Sequence, residues 1–215
     1  MKFRIIGAIL ISAISFGCFA TAQIPDTIEI NDVKYRLNTN PLKKYLTEIK
    51  WEKPENASVS SANWRGYLAA WKVEAGNLLL TDMTISVHSE TEKHSYDDVS
   101  ILKDVFPDKK EIVAVWYSGA LIVPYGEMTN YVHMGYGSSY ENYIVLRISK
   151  GIVIEHLDMV AAEFETYKDR KFQTFMETKE FQEELENLMN GEYKWTEEQA
   201  LDFMQSFHAE YYLSL

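Results

Sequence analysis

The chain has 215 residues, with 21 basic and 32 acidic side chains, a formal net charge of −11 and a single cysteine. A surface this acidic repels phosphate backbones and anionic headgroups, which argues against nucleic-acid binding. One cysteine excludes a disulfide framework within the chain and any cysteine-built metal site.

The first 22 residues read as a secretory signal peptide. Lys2 and Arg4 form a basic start, Ile5 to Phe19 is an almost unbroken apolar run, and Ala20-Thr21-Ala22 supplies small residues for cleavage. The run is too short for a transmembrane helix, and no stop-transfer pattern follows it. Cleavage after Ala22 discards Cys18 and two basic residues, leaving 193 residues and moving the charge from −11 to −13. A lipid anchor on Cys18 is the alternative, although Ser15-Phe16-Gly17 fits a lipoprotein signal poorly. The expected location is therefore periplasmic or extracellular. Without staples the exported chain relies on its core, and a chain of this size buries roughly 70% of its unfolded surface.

Asp26 to Leu37 reads as a short hairpin, with Ile28 and Ile30 alternating before Asn31-Asp32 and Val33, Tyr35 and Leu37 after it. Asn40 as cap and Pro41 at the first helical position start a short helix carrying Leu42, Tyr45, Leu46 and Ile49 on one face. A polar loop follows Trp51. From Arg65 the period becomes two. Tyr67, Ala69, Trp71 and Val73 share a face, and after a turn at Ala75-Gly76-Asn77 so do Leu79, Met83, Ile85 and Val87. His88 to Asp98 reads as a polar connection, and Ile101 to Phe106 as a short helix before Pro107.

A second β-rich block runs from Ile112 to Leu157. One or two strands end at Pro124, residues 131–136 pair with 142–148, and Lys150-Gly151 turns into a last strand. The short connections predict antiparallel pairing. After Ala161 the period is helical through Phe164, Tyr167, Phe172, Phe175 and Phe181, with a stop at Asn190-Gly191. Thr196 to Gln199 is a capping box for a final helix that buries Ala200, Leu201, Met204, Phe207, His208 and Tyr211. The predicted class is α+β. It comprises an antiparallel β-meander of two hairpin-rich blocks in one sheet or partial barrel, a short N-terminal helix, and C-terminal helices packed on the sheet. The organisation expected is residues 1–22 as signal, 23–160 as the β-rich domain and 161–215 as a helical segment of that domain.

Catalytic signatures are missing. The sequence holds no G-x-S-x-G elbow and no H-E-x-x-H, and its five histidines are scattered at 88, 94, 133, 156 and 208. Gly135-x-Gly137 is not a dinucleotide loop, because Tyr140 stands where a third glycine belongs. Neither a cofactor nor a metal is expected. The densest chemistry is "YVHMGYGSSYENY", Tyr131 to Tyr143. On an extended chain its two glycines leave a bare strip of backbone for an aromatic ring or a flat ligand to cover. The plainer reading is a bulged or bent strand pairing with aromatic core residues. Ligand-binding candidates are Trp64, Arg65, Trp116, Tyr131, His133, Tyr136, Ser138 and Tyr140. The acid–base candidates are His133, Glu141 and Asp82, and their spacing in sequence says nothing of their distance in space.

"NWRGYLAAWKVEAGNLLLTDM" followed by "WYSGALIVPYGEMTNYVHMGYGSSYENY" resembles a group of exported bacterial proteins that share a Trp-Arg-Gly-Tyr hairpin and a Tyr-Val-His-Met-Gly-Tyr-Gly-Ser segment. The resemblance spans roughly residues 27–157. It implies a bacterial origin and one domain across both β blocks, and it implies no activity. The functional expectation is an exported, non-enzymatic protein that binds a protein partner, for which a basic target suits the charge, or a small neutral ligand. A hydrolase acting on envelope glycans is the alternative.

Overall fold

The computed structural model describes residues 21–192 and 194–215. Cys18 and all of the expected signal segment except Thr21 and Ala22 lie outside the described residues.

Alternation puts Asp26, Ile28 and Ile30 on the inner face of β1 (Asp26–Ile30). Asn31 and Asp32, with φ of 50° and 62°, form a two-residue turn into β2 (Val33–Leu37), which returns antiparallel. Positive φ at both turn residues matches the right-handed twist of the flanking strands. Pro41 occupies the N-cap of α1 (Leu42–Glu48), and no side chain caps that end. Asn40 is unavailable as a cap because its Oδ1 already accepts hydrogen bonds from Arg65 and Tyr136.

β3 (Leu68–Glu74) pairs with β1 in parallel, which corrects the expectation of a wholly antiparallel meander. The physical reason is the connection: β2, α1 and the loop after it together make a crossover long enough for parallel pairing. β4 (Asn77–His88) follows through a tight turn and runs antiparallel to β3. A register shift leaves Thr81 as an extra residue on β4, opposite the Ala70–Trp71 step. The bulge reverses the alternation, so Leu78 and Leu80 share the core with Met83 and Ile85, whereas Leu79 sits beside Val113. The polar connection after His88 contains a fifth strand, β5 (Tyr96–Ser100), paired with the distal half of β4. All five of its residues are exposed, so it carried no alternation to read. The one-turn helix α2 (Leu102–Val105) follows.

β6 (Gly119–Asn130), β7 (Ser139–Ser149) and β8 (Ile152–Val160) form an antiparallel meander. Pro124 lies inside β6 rather than ending it. It is tolerated because β6 ends the order of strands, where a missing N–H breaks no ladder. The partner of β7 is accordingly 119–130, and residues 131–136 are a connection outside the sheet. The strand order is β2-β1-β3-β4-β8-β7-β6, with β5 beside β4. β4 and β8 meet at a single pair, Asn77 and Ile152, and the sheet does not close into a barrel.

Helices α3 (Ala161–Met176), α4 (Lys179–Asn190), α5 (Glu197–Phe207) and α6 (Ala209–Tyr212) complete the α+β fold. They cover one face of the β6–β7 region, where Tyr143 stacks on Phe164 at 4.1 Å. β7 is buried on both faces: Ile144, Leu146 and Ile148 enter the core shared with β1, β3 and β4, while Tyr143 and Val145 enter the helical core. Thr196 and Gln199 cap α5 reciprocally. Ala200 and Met204 are fully buried on it, but Phe207 and Tyr211 are exposed, because the helix breaks at His208 and the stripe loses its phase.

Candidate functional site

Arg65 continues the inward phase of Tyr67, Ala69 and Trp71, and Asp26 that of Ile28 and Ile30. The two inward series carry an acid and a base into the same core. Arg65 Nη1 donates to Asp26 Oδ1 at 2.9 Å, and both side chains are essentially removed from solvent. Asp26 also accepts from the Ala69 N–H at 3.1 Å and from Trp71 Nε1 at 3.3 Å. Arg65 donates further to Asn40 Oδ1 and to the Ile24 carbonyl, and its guanidinium lies over the Tyr67 ring. Tyr136 donates to the same Asn40 oxygen at 3.0 Å.

The electrostatics follow from burial. Desolvation pushes the Asp26 carboxyl above its ordinary value, against the pull of Arg65 and of the Ala69 and Trp71 N–H groups. Desolvation also pushes the Tyr136 hydroxyl up to about 12 and raises the Tyr67 hydroxyl. These phenols stay protonated, Tyr136 as a donor to Asn40, and do no acid–base chemistry near neutral pH. Among the described residues, five buried atoms of this region have no hydrogen-bond partner: Arg65 Nε, Tyr67 OH, Asn63 Oδ1, Thr39 Oγ1 and Gln23 Oε1.

Above this node the chain is knitted from three directions. The Gln23 N–H donates to the Gly135 carbonyl, the Ile24 N–H to the Ala62 carbonyl and the Gln23 side chain to the Ser61 carbonyl, at 2.8–2.9 Å. The segment 22–24 therefore lies between the 60–65 loop and the 131–138 loop. At this rim Trp64 is 62% exposed and Tyr131 59%, and Ile24 and Met134 are exposed beside them in sequence and in backbone pairing. The Tyr131 hydroxyl and His133 Nδ1 are hydrogen-bonded at 2.7 Å, and Ser138 Oγ accepts from the Val132 N–H. Gly135, at φ 53°, makes the bend, and a Cβ on Gly137 would lie 3.0 Å from Val132. The glycines serve a tight loop, and no extended strip exists there.

Of the residues singled out in the sequence, Arg65 and Tyr136 meet at Asn40, Tyr131, His133 and Ser138 share the 131–138 loop, and Trp64 lies on the 60–65 loop across segment 22–24. Two others lie elsewhere. Trp116 donates to the Pro41 carbonyl and packs on Tyr45 and Phe106, and Tyr140 is buried with its hydroxyl accepting from Arg36. Asp82 and Glu141 share no partner. Asp82 accepts from Ser100 Oγ and the Met83 N–H beside the bulge of β4, and Glu141, on β7, accepts from the Glu127 N–H and braces the irregularity of β6. In the sequence Asn40 reads as a helix cap and Tyr67 as a residue on a strand face, and none of Asp26, Asn40 and Tyr67 is singled out for a site. Their signal was present, since an acid in phase with Ile28 and Ile30 must be buried and must find a cation.

A separate 380 Å³ groove is lined by Ser118, Gly119, Phe207, His208, Glu210 and Tyr211. Burial raises the Glu210 carboxyl and lowers the His208 imidazole. Among the described residues no group of three or more His, Cys, Asp or Glu side chains is arranged to hold a metal, and no helix is long and apolar enough to cross a membrane. No family model, curated protein or solved structure matches the chain.

Proposed function

We propose that the protein is an exported, non-enzymatic binding protein whose contact surface is the rim of Trp64, Tyr131, Met134 and Ile24, and whose partner is a basic protein of the bacterial envelope. The observation that carries the reading is the rim itself. Large aromatic and sulfur-bearing side chains stand exposed on loops held from beneath by the buried Asp26–Arg65 node. Trp, Tyr and Met are the residue types enriched at binding surfaces, and a rigid base limits the ordering that binding must impose. The net charge, −11 for the full chain and −13 after cleavage at Ala22, steers a cationic partner toward the molecule in a salt-dependent way.

The test is calorimetric titration with a cationic lysozyme-like hydrolase at low and at physiological salt. Binding should be measurable at low salt and weaken as salt rises, and the Trp64→Ala/Tyr131→Ala variant should lose about tenfold or more in affinity. No heat at low salt, or equal binding by the variant, overturns the proposal.

The hydrolase reading has one observation in its favour, the raised Glu210 carboxyl in a groove bordered by Phe207 and Tyr211. Burial that favours the neutral carboxyl, beside aromatic rings, is the kind of environment in which general acids work. Turnover of peptidoglycan that Glu210→Gln abolishes, with the fold intact, would establish it in place of the binding role.

A further inference from the structure

The two ends of the β6–β7–β8 meander differ in how they are guarded. A bare strand edge offers its N–H and C=O groups to any passing chain, and folded proteins blunt such edges with proline, bulges or lysine. β6 is blunted: Pro124 interrupts its donors, register shifts follow Tyr125 and Met128, and its Ile122 carbonyl accepts from the Asn38 N–H just past β2. β8 has neither proline nor lysine, and its bulge, at Ile154 between Val153 and Glu155, lies at the end next to β4, leaving Glu155–Val160 regular. It is bound by β7 along one side, touches β4 only at Ile152, and donates to Gly76 from Val153. Beyond Val153, among the described residues, no backbone hydrogen bond leaves its other side. Apolar side chains accompany this bare edge, with Ile154 57% and Val160 51% exposed.

We propose that the free edge of β8 pairs antiparallel with β8 of a second copy of this chain, forming a two-fold dimer with one sheet running through both. The sequence of the strand is self-complementary about Leu157. In the register centred there, Leu157 meets its own copy and His156 lies opposite Asp158 of the second chain, while the bulged Ile154 falls at the end of the pairing, level with Val160. The two-fold repeats the His156–Asp158 pair. Directly opposed residues on an antiparallel pair share a face, where opposite charges and apolar pairs stabilise and like charges destabilise. Glu155 is opposed by Met159 and is already neutralised by Arg147 at 2.8 Å within its own chain, so the register brings no like charges together. A heterologous strand would owe nothing to this match of positions 156, 157 and 158 about one centre, which favours a second copy as the occupant. The surface is separate from the Trp64–Tyr131 rim, and either proposal can fail without the other.

The test is sedimentation equilibrium of the full chain and three variants, with thermal melts to show that each is folded. The wild type should be a reversible dimer. Ile154→Lys, at an exposed edge position, should give a folded monomer. His156→Glu places an acid opposite Asp158 twice per dimer and should weaken association by about tenfold. His156→Glu/Asp158→Lys should restore it. A wild-type monomer at all concentrations overturns the proposal, as does a dimer that ignores Ile154→Lys or a double variant no tighter than His156→Glu. The melts cover the loss of the bond from the Tyr125 hydroxyl to Asp158, which the double variant removes.

Discussion

The molecule has two cores built on different principles. The first, between β1, β3, β4 and the inner faces of β6 and β7, is aliphatic at its centre and carries a buried ion pair at one end. The second, between β7 and the C-terminal helices, is a stack of rings: Tyr143 on Phe164, then Phe172, Phe175, Phe181 and Tyr212 edge to face. Ring packing gains from area and tolerates a swap of similar volume. The ion pair admits one arrangement, because each partner left alone is an uncompensated buried charge. The lesson is that position in the first core is enforced by chemistry, and in the second by bulk. The strand end that supports the Trp64–Tyr131 rim belongs to the enforced region.

The sharpest way to break this contrast is Asp26→Ala. Removing one partner of the buried pair should destabilise by about 3–5 kcal/mol in urea unfolding. The loss should be far smaller when Arg65 is replaced at the same time by methionine. If the single and double variants lose equally, the pair is not what fixes this end of the sheet. The second core is probed by Met204→Leu, at a fully buried position. A change that conserves volume there should cost under about 1.5 kcal/mol in the same assay. A loss as large as that of Asp26→Ala would show the helical core to be equally specific.

The smallest effect concerns pH. Burial lowers the His208 imidazole from its ordinary value of 6.5, and the Glu184 carboxylate, 4.0 Å away, opposes this only in part. The folded protein thus binds fewer protons than the unfolded chain just below that value. Stability contributed by neutral His208 is present above pH 6.5 and declines as pH falls through the window beneath it. Melting temperature should therefore drop on acidification from pH 7, and His208→Gln should reduce that slope. An unchanged slope would assign the decline to other groups.

Local rules in the sequence determined much of this protein. Alternation marked β1 and β3, the Lys150-Gly151 turn marked the junction of β7 and β8, helical spacing marked α3 to α5, and Thr196 and Gln199 form the capping box that their spacing implies. These features depend on neighbours a few residues apart, where period and hydrogen-bonding chemistry leave few choices. Tertiary structure decided what depends on distant partners. The Thr81 bulge that puts Leu78 and Leu80 in the core, the parallel pairing of β1 with β3, and β5, fully exposed and paired with β4, carry no local signature. The candidate site divides the same way. The sequence displays the aromatic and polar residues of the 131–138 loop. Only the fold brings Asp26, Asn40, Arg65 and Tyr136 together from four separate segments, because a buried charge is satisfied by whatever donors the packed chain places around it.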